Sequence, residues 1–112
     1  MPIELNITRV FGRSIREVIL LNGVIAVTDG EWFAVDGASP VTIHIKGITN
    51  ATVAVHGANT DVQPANSSHE IKLTVDIKKD DLVIIDVPVK WIKVRVSAYT
   101  SGTIFAYLIG QA

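Results

Sequence analysis

The stretch Lys90–Ile109, KWIKVRVSAYTSGTIFAYLI, most constrains the fold of this chain, because its first part alternates apolar and polar side chains. Ile92, Val94 and Val96 fall on one face of an extended chain, and polar side chains fall between them. This is the period-two pattern of a half-buried strand. Residues 99–102 end in a glycine, which tolerates a positive φ, so the stretch predicts a long β-hairpin with its turn there.

The second arm of this predicted hairpin is apolar on both faces. Phe105, Tyr107 and Ile109 fall on one face, whereas the residues between them, from position 104 to 108, fall on the other. A single hydrophobic core covers only one face of a strand. The second apolar face therefore predicts a partner subunit, and Phe105 and Tyr107 are the candidate contact residues.

The rest of the chain also indicates short strands, with turn signals every ~8–12 residues, which is typical of a β-sandwich or jelly roll. We therefore predict an all-β antiparallel fold of about eight strands without a confident helix. Residues 1–13 are expected to form an N-terminal strand or an extended arm, and residues 14–112 a single sandwich domain. The further predicted strands lie at 17–21, 24–28, 32–35, 41–46, 52–56, 69–77 and 82–87.

Glycine-containing segments set the predicted chain reversals. Asn22-Gly23 between apolar runs is a strong hairpin signal. Ser14 and Glu17 also resemble a helical capping box, but the segment is short and β-branched, so strand, turn, strand is favoured. Residues 47–50 are expected to turn the chain in the same way.

Composition excludes several classes of function. The chain has 112 residues, a formal charge of −1 and scattered lysines and arginines, so no basic stripe predicts nucleic-acid binding. It has no cysteine, which excludes thiol chemistry and zinc–thiolate sites. No apolar run approaches the ~18 residues of a membrane-spanning helix, and the N-terminus lacks the basic start and apolar block of a signal peptide. We expect neither a membrane partner nor secretion.

Catalytic and metal-binding patterns are weak. His44 and His56 occupy polar faces of consecutive predicted strands, and such a pair would need a third ligand to bind a metal. Exposed polar-face histidines are the favoured interpretation. No nucleophile–base pair or phosphate loop occurs, so we predict that the protein is not an enzyme and has no cofactor.

Trp91 shares a strand face with Arg95, and it has two interpretations. Tryptophan and arginine are enriched in protein interfaces, which makes both residues candidate interface positions. An exposed tryptophan can also stack on a sugar ring. A core or interface position is favoured over a ligand platform.

Three segments resemble the small β-sandwich virion proteins of tailed bacteriophages, most of all capsid decoration (cement) proteins. Val53–Asp61 is similar to the group's V-x-V-x-G-[SA]-N-x-D segment. Trp91–Val96 and the S-G-T triplet Ser101–Thr103 are similar to its later hairpin. The resemblance covers about residues 32 to 110.

This resemblance implies a structural protein that sits, typically as a homotrimer, on the outer surface of the phage head. Its partner would be the major capsid protein, and it would be made in the host cytoplasm. The group supplies no catalytic residues. An alternative is a carbohydrate- or receptor-binding sandwich of a phage tail or fibre, for which Trp32 and Trp91 would have to be exposed.

The N-terminal segment adds a further candidate contact. Ile3, Leu5 and Ile7 alternate with polar residues ahead of the main domain. Such a segment suits an arm that adds a strand to a neighbouring subunit. Deleting residues 2–10 would then weaken trimer or capsid binding and leave the sandwich folded.

Overall fold

A computed structural model describes residues 3–10, 13–37, 40–60, 62–64 and 70–111, with side chains described from residue 17 to residue 110 of those ranges. All of its regular elements are strands, and they join in one antiparallel sheet of eight strands. The predicted all-β antiparallel class is therefore confirmed. The strands are β1 (Ile3–Val10), β2 (Arg13–Val24), β3 (Thr28–Asp29), β4 (Phe33–Ala34), β5 (Val41–Ala58), β6 (Ile71–Lys72), β7 (Asp81–Ile85) and β8 (Trp91–Gln111).

The two longest strands, β5 and β8, form a ribbon that organises the sheet. They pair antiparallel from Val41 opposite Gly110 to Ala58 opposite Trp91. The register shifts several times between residues 46 and 53, and these irregularities divide the ribbon into two halves. Strands β2 and β7 flank the first half (41–46 with 104–110), and β3, β4 and β6 flank the second half (51–58 with 91–98).

The core lies on one side of the ribbon and includes residues from both halves. Their inward side chains belong to a single hydrophobic cluster, so the bent sheet packs onto itself as a sandwich. Burying each valine, isoleucine or leucine side chain of this cluster stabilises the fold by about 1.5–3 kcal/mol. These residues are Val41, Ile43, Ile45, Ile104, Ala106 and Leu108 from the first half, and Val53, Val55, Ile92, Val94 and Val96 from the second.

The predicted hairpin at 90–109 is wrong, since β8 runs through residues 99–102 without reversing. Both of its arms pair with β5 instead of with each other. Gly102 has a φ of 120° and lies where the β5–β8 register shifts, and the Tyr99 hydroxyl donates a hydrogen bond to the Gly102 carbonyl at 2.6 Å. A glycine at positive φ occurs in β-bulges inside strands as well as in turns, so a glycine between apolar runs does not by itself predict a chain reversal.

The predicted turns at Asn22-Gly23 and at 47–50 are wrong for the same reason. Gly23 lies inside β2 with a φ of 75°, and Gly47 lies inside β5 with a φ of 87°. A register shift accompanies each glycine. Several short predicted strands thus merge into long ones. Of the predicted strand at 69–77, the described residues 70–77 contribute only β6 and an isolated bridge between Ile77 and Val53.

The N-terminal segment forms an edge strand in the same chain, because β1 pairs antiparallel with β2 from Ile3 opposite Ile19 to Val10 opposite Arg13. Residues 3–10 are therefore a strand of the sheet, one of the two forms expected for the N-terminal segment. The side chains of Leu5 and Ile7, like that of Ile3, lie outside the described part of the chain. No helix within the described ranges has the length and hydropathy needed to cross a membrane.

Candidate functional site

The outward side of the ribbon's first half carries a continuous set of mostly apolar side chains, which we call the outer face. The register places Phe105 beside Lys46, and Tyr107 beside His44. Strand β7 extends this surface, because Leu82 lies opposite His44 and Ile84 opposite Thr42. The outer face comprises Thr42, His44, Lys46, Leu82, Ile84, Phe105, Tyr107 and Ile109.

Several large apolar side chains of the outer face are open to solvent. Leu82 is 60% exposed, Ile84 64% and Ile109 49%. Single exposed apolar residues are ordinary, whereas Leu82 and Ile84 lie two positions apart on one face of β7. The structure therefore places the predicted contact residues Phe105 and Tyr107 on the same sheet face as two residues of β7, with β5 between them.

The aromatic rings of the outer face are ordered by their neighbours. Phe105 and Tyr107 stack with ring centroids 6.0 Å apart and an angle of 9° between planes. The Lys46 ammonium lies 5.4 Å from the first centroid and 5.6 Å from the second, within cation–π range. Both rings are half-buried, so the outer face presents a fixed aromatic surface with one cation at its margin.

The outward side of the second half is polar, and there the structure forms an ion cluster of Asp29, Glu70, Lys93 and Arg95. The Lys93 ammonium lies 2.7 Å from an Asp29 oxygen and 2.6 Å from Glu70 Oε2. Arg95 Nη2 lies 2.6 Å from Glu70 Oε1, and Arg95 Nε lies 3.2 Å from Asp29. Each carboxylate thus contacts both cations.

The ion cluster is shielded from water at its centre. Only 4% of the Lys93 side chain and 6% of the Glu70 side chain are exposed, and the Lys93 ammonium lies 4.7 Å from the Trp32 ring centroid. Burial raises the pKa of Asp29, but the hydrogen bonds and charges of Arg95 and Lys93 outweigh it, so this pKa lies below its usual value. The predicted interface residue Arg95 is therefore engaged within its own chain.

The two histidines of β5 have different surroundings. His44 is exposed on the outer face, as expected. His56 is only 8% exposed, so its predicted exposure is wrong. Both lie on one strand, not on neighbouring strands, and the described residues hold no group of three or more potential metal ligands.

The two tryptophans are half-buried and engaged. Trp91 Nε1 donates a hydrogen bond to the Thr60 carbonyl at 3.0 Å, which ties the loop after β5 to the start of β8. The Lys93 ammonium lies over the Trp32 ring. Both indole rings thus contact groups of their own chain.

Comparison with known proteins shows the fold. No family model and no curated protein matches the chain. A crystal structure of the SPBc2 prophage-derived protein YomS is similar to it, with a TM-score of 0.70 over 96% of this chain and 100% of that one. Because the two sequences are only 14% identical, the likeness establishes that the two chains share an all-β fold. Function has to be argued from the residues of the site, since one fold supports many functions.

Proposed function

We propose that this chain is a structural virion protein of a tailed bacteriophage that decorates the outer surface of the head. The outer face carries this proposal, because it exposes apolar side chains of β7 and β8 on either side of Thr42, His44 and Lys46 of β5. The fold shared with a prophage-derived protein supports a phage origin. The resemblance of Val53–Asp61 and Trp91–Val96 to decoration proteins supports the capsid as the site of action.

The outer face suits an interface among copies of this chain or with the major capsid protein. Burying Leu82, Ile84 and Ile109 removes apolar area from water at about 25 cal/mol per Å². A protein that binds only the assembled shell stabilises that shell by mass action, without any chemistry. Strand β7 lies at the margin of the sheet, so a neighbouring strand can add beside the apolar patch.

Ile84→Glu should disrupt self-association. Ile84 is 64% exposed, so the substitution leaves the core intact but places a charge among the exposed apolar side chains of β7. We expect the wild-type protein to sediment as a homo-oligomer, with a trimer favoured, and the variant as a folded monomer whose circular dichroism spectrum matches that of the wild type.

Val27→Glu is the matched control, because Val27 is 63% exposed in the connection between β2 and β3, away from the outer face. This variant should sediment with the same oligomer mass as the wild-type protein. Equal loss of association in both variants would point to non-specific solubility effects, and a wild-type protein that stays monomeric at high concentration would contradict self-association.

A further inference from the structure

Residues Glu70–Ile77, which we call the edge segment, lie beside the second half of β5. The Leu73 amide donates to the Val55 carbonyl at 2.8 Å, and the Ile77 amide donates to the Val53 carbonyl at 2.7 Å. The Val55 amide donates to the Thr74 hydroxyl at 3.1 Å. A small set of hydrogen bonds, together with the Glu70 ion pairs, therefore holds the edge segment against the sheet.

His56 lies where the edge segment, β5 and β8 meet. It pairs with Lys72 of β6 on one side and with Lys93 of β8 on the other. It is more than nine-tenths buried, and within the described part of the chain its Nδ1 has no hydrogen-bond partner. A buried ring nitrogen without a partner is costly, and a second proton on the ring would increase that cost.

The charges around His56 come from three elements. Lys93 and Arg95 project from β8, Lys72 and Glu70 belong to the edge segment, and Asp29 projects from β3 to the two β8 cations. Burial lowers the pKa of His56, the three cations lower it further, and only Glu70 opposes them. The site therefore favours neutral His56. A protonated His56 would add a buried cation beside carboxylates that already form ion pairs with Lys93 and Arg95.

We propose that His56 is a proton-operated latch, whose protonation releases the edge segment from β5 while the β5–β8 ribbon stays folded. Release admits water to the ring and frees the backbone groups of Val53 and Val55. A freed strand edge accepts a strand from another chain. This inference concerns the second half of the ribbon and is independent of the outer face.

The direction of the pH dependence follows from linkage. Because His56 binds a proton less readily in the closed state than in the open state, closure is fully stabilised above the ordinary histidine pKa. That stability is lost as the pH falls through the ordinary value toward the lowered one. The edge segment should thus open on mild acidification.

Amide hydrogen exchange between about pH 7.5 and pH 5.0 tests the latch. After correction for intrinsic exchange, protection at the Leu73 and Ile77 amides should fall roughly threefold or more, whereas protection in the β5–β8 ribbon stays constant. His56→Gln removes the titrating group and should abolish this fall. His44→Gln, on the exposed part of the same strand, and His69→Gln should keep it.

Two results would overturn the latch: constant protection at Leu73 and Ile77 in the wild-type protein, or an unaltered pH dependence in His56→Gln. Loss of the dependence in His69→Gln would assign it to that histidine instead. Should His56→Gln not fold, nuclear magnetic resonance titration of the wild-type ring decides. The proposal requires the pKa of His56 to lie below the usual histidine value. It also requires the Leu73 and Ile77 amide signals to shift with the same midpoint pH as the ring.

Discussion

Replacing Gly47 with alanine should destabilise the protein by about 4 kcal/mol or more, enough to unfold a marginally stable domain. Gly47 has a φ of 87°, which side chains disfavour, and a Cβ atom there would lie 1.7 Å from the Thr103 carbonyl oxygen. That oxygen belongs to the backbone of β8, so no side-chain rotation relieves the clash. The two ribbon strands would have to separate where the ribbon bends.

Gly37→Ala is the control for backbone conformation alone. Gly37 has a similar φ of 79°, but among the described residues a Cβ atom there meets nothing within 4 Å. Its substitution should cost only about 1–2 kcal/mol, the strain of a positive φ. Urea unfolding of both variants separates the two effects. Equal losses of stability would show that β5 and β8 do not approach closely at Gly47.

Glu70→Gln should lower the free energy of unfolding by about 3 kcal/mol, the low end for breaking a buried ion pair. The substitution preserves shape but removes the charge that both Lys93 and Arg95 contact at 2.6 Å. Each cation still has Asp29, which limits the loss. A double-mutant cycle with Lys93→Met should show a coupling of roughly 1–2 kcal/mol, because the two groups interact directly.

Asp76→Asn is the matched control in the same segment. Asp76 pairs with Lys72 on the surface, where both side chains are about half exposed. Exposed pairs contribute little, so this variant should unfold like the wild type. If it lost as much stability as Glu70→Gln, burial of the ion cluster would not be the cause.

The sequence predicts the inward residues well because burial imposes strict alternation. Ile43, Val94 and Leu108 lie in the core where period two puts them. It predicts chain direction poorly, because a glycine at positive φ fits a bend within a strand and a reversal equally well. Gly47 and Gly102 lie at irregular positions inside long strands. The pairing of β5 with β8 on both sides of these glycines shows that neither one reverses the chain.

The two surfaces differ in how far the sequence predicts them. Phe105 and Tyr107 stand out because their strand is apolar on both faces, but their neighbours Leu82 and Ile84 depend on how β7 pairs with β5. The burial of Lys93 and His56 could not be predicted from local pattern. The groups that contact Lys93 come from residues 29, 32 and 70, far away in the chain, and His56 is covered where three separate segments meet.

Binding to empty heads tests the proposed function most directly. The proposed function requires a phage or prophage whose genome encodes this chain. Its heads, prepared without the chain, would be mixed with the wild-type protein, sedimented and imaged by electron cryomicroscopy. We expect added density on the outer surface at three-fold positions, absent with Ile84→Glu and retained with Val27→Glu. A wild-type protein that stays in the supernatant and leaves the heads bare would contradict it.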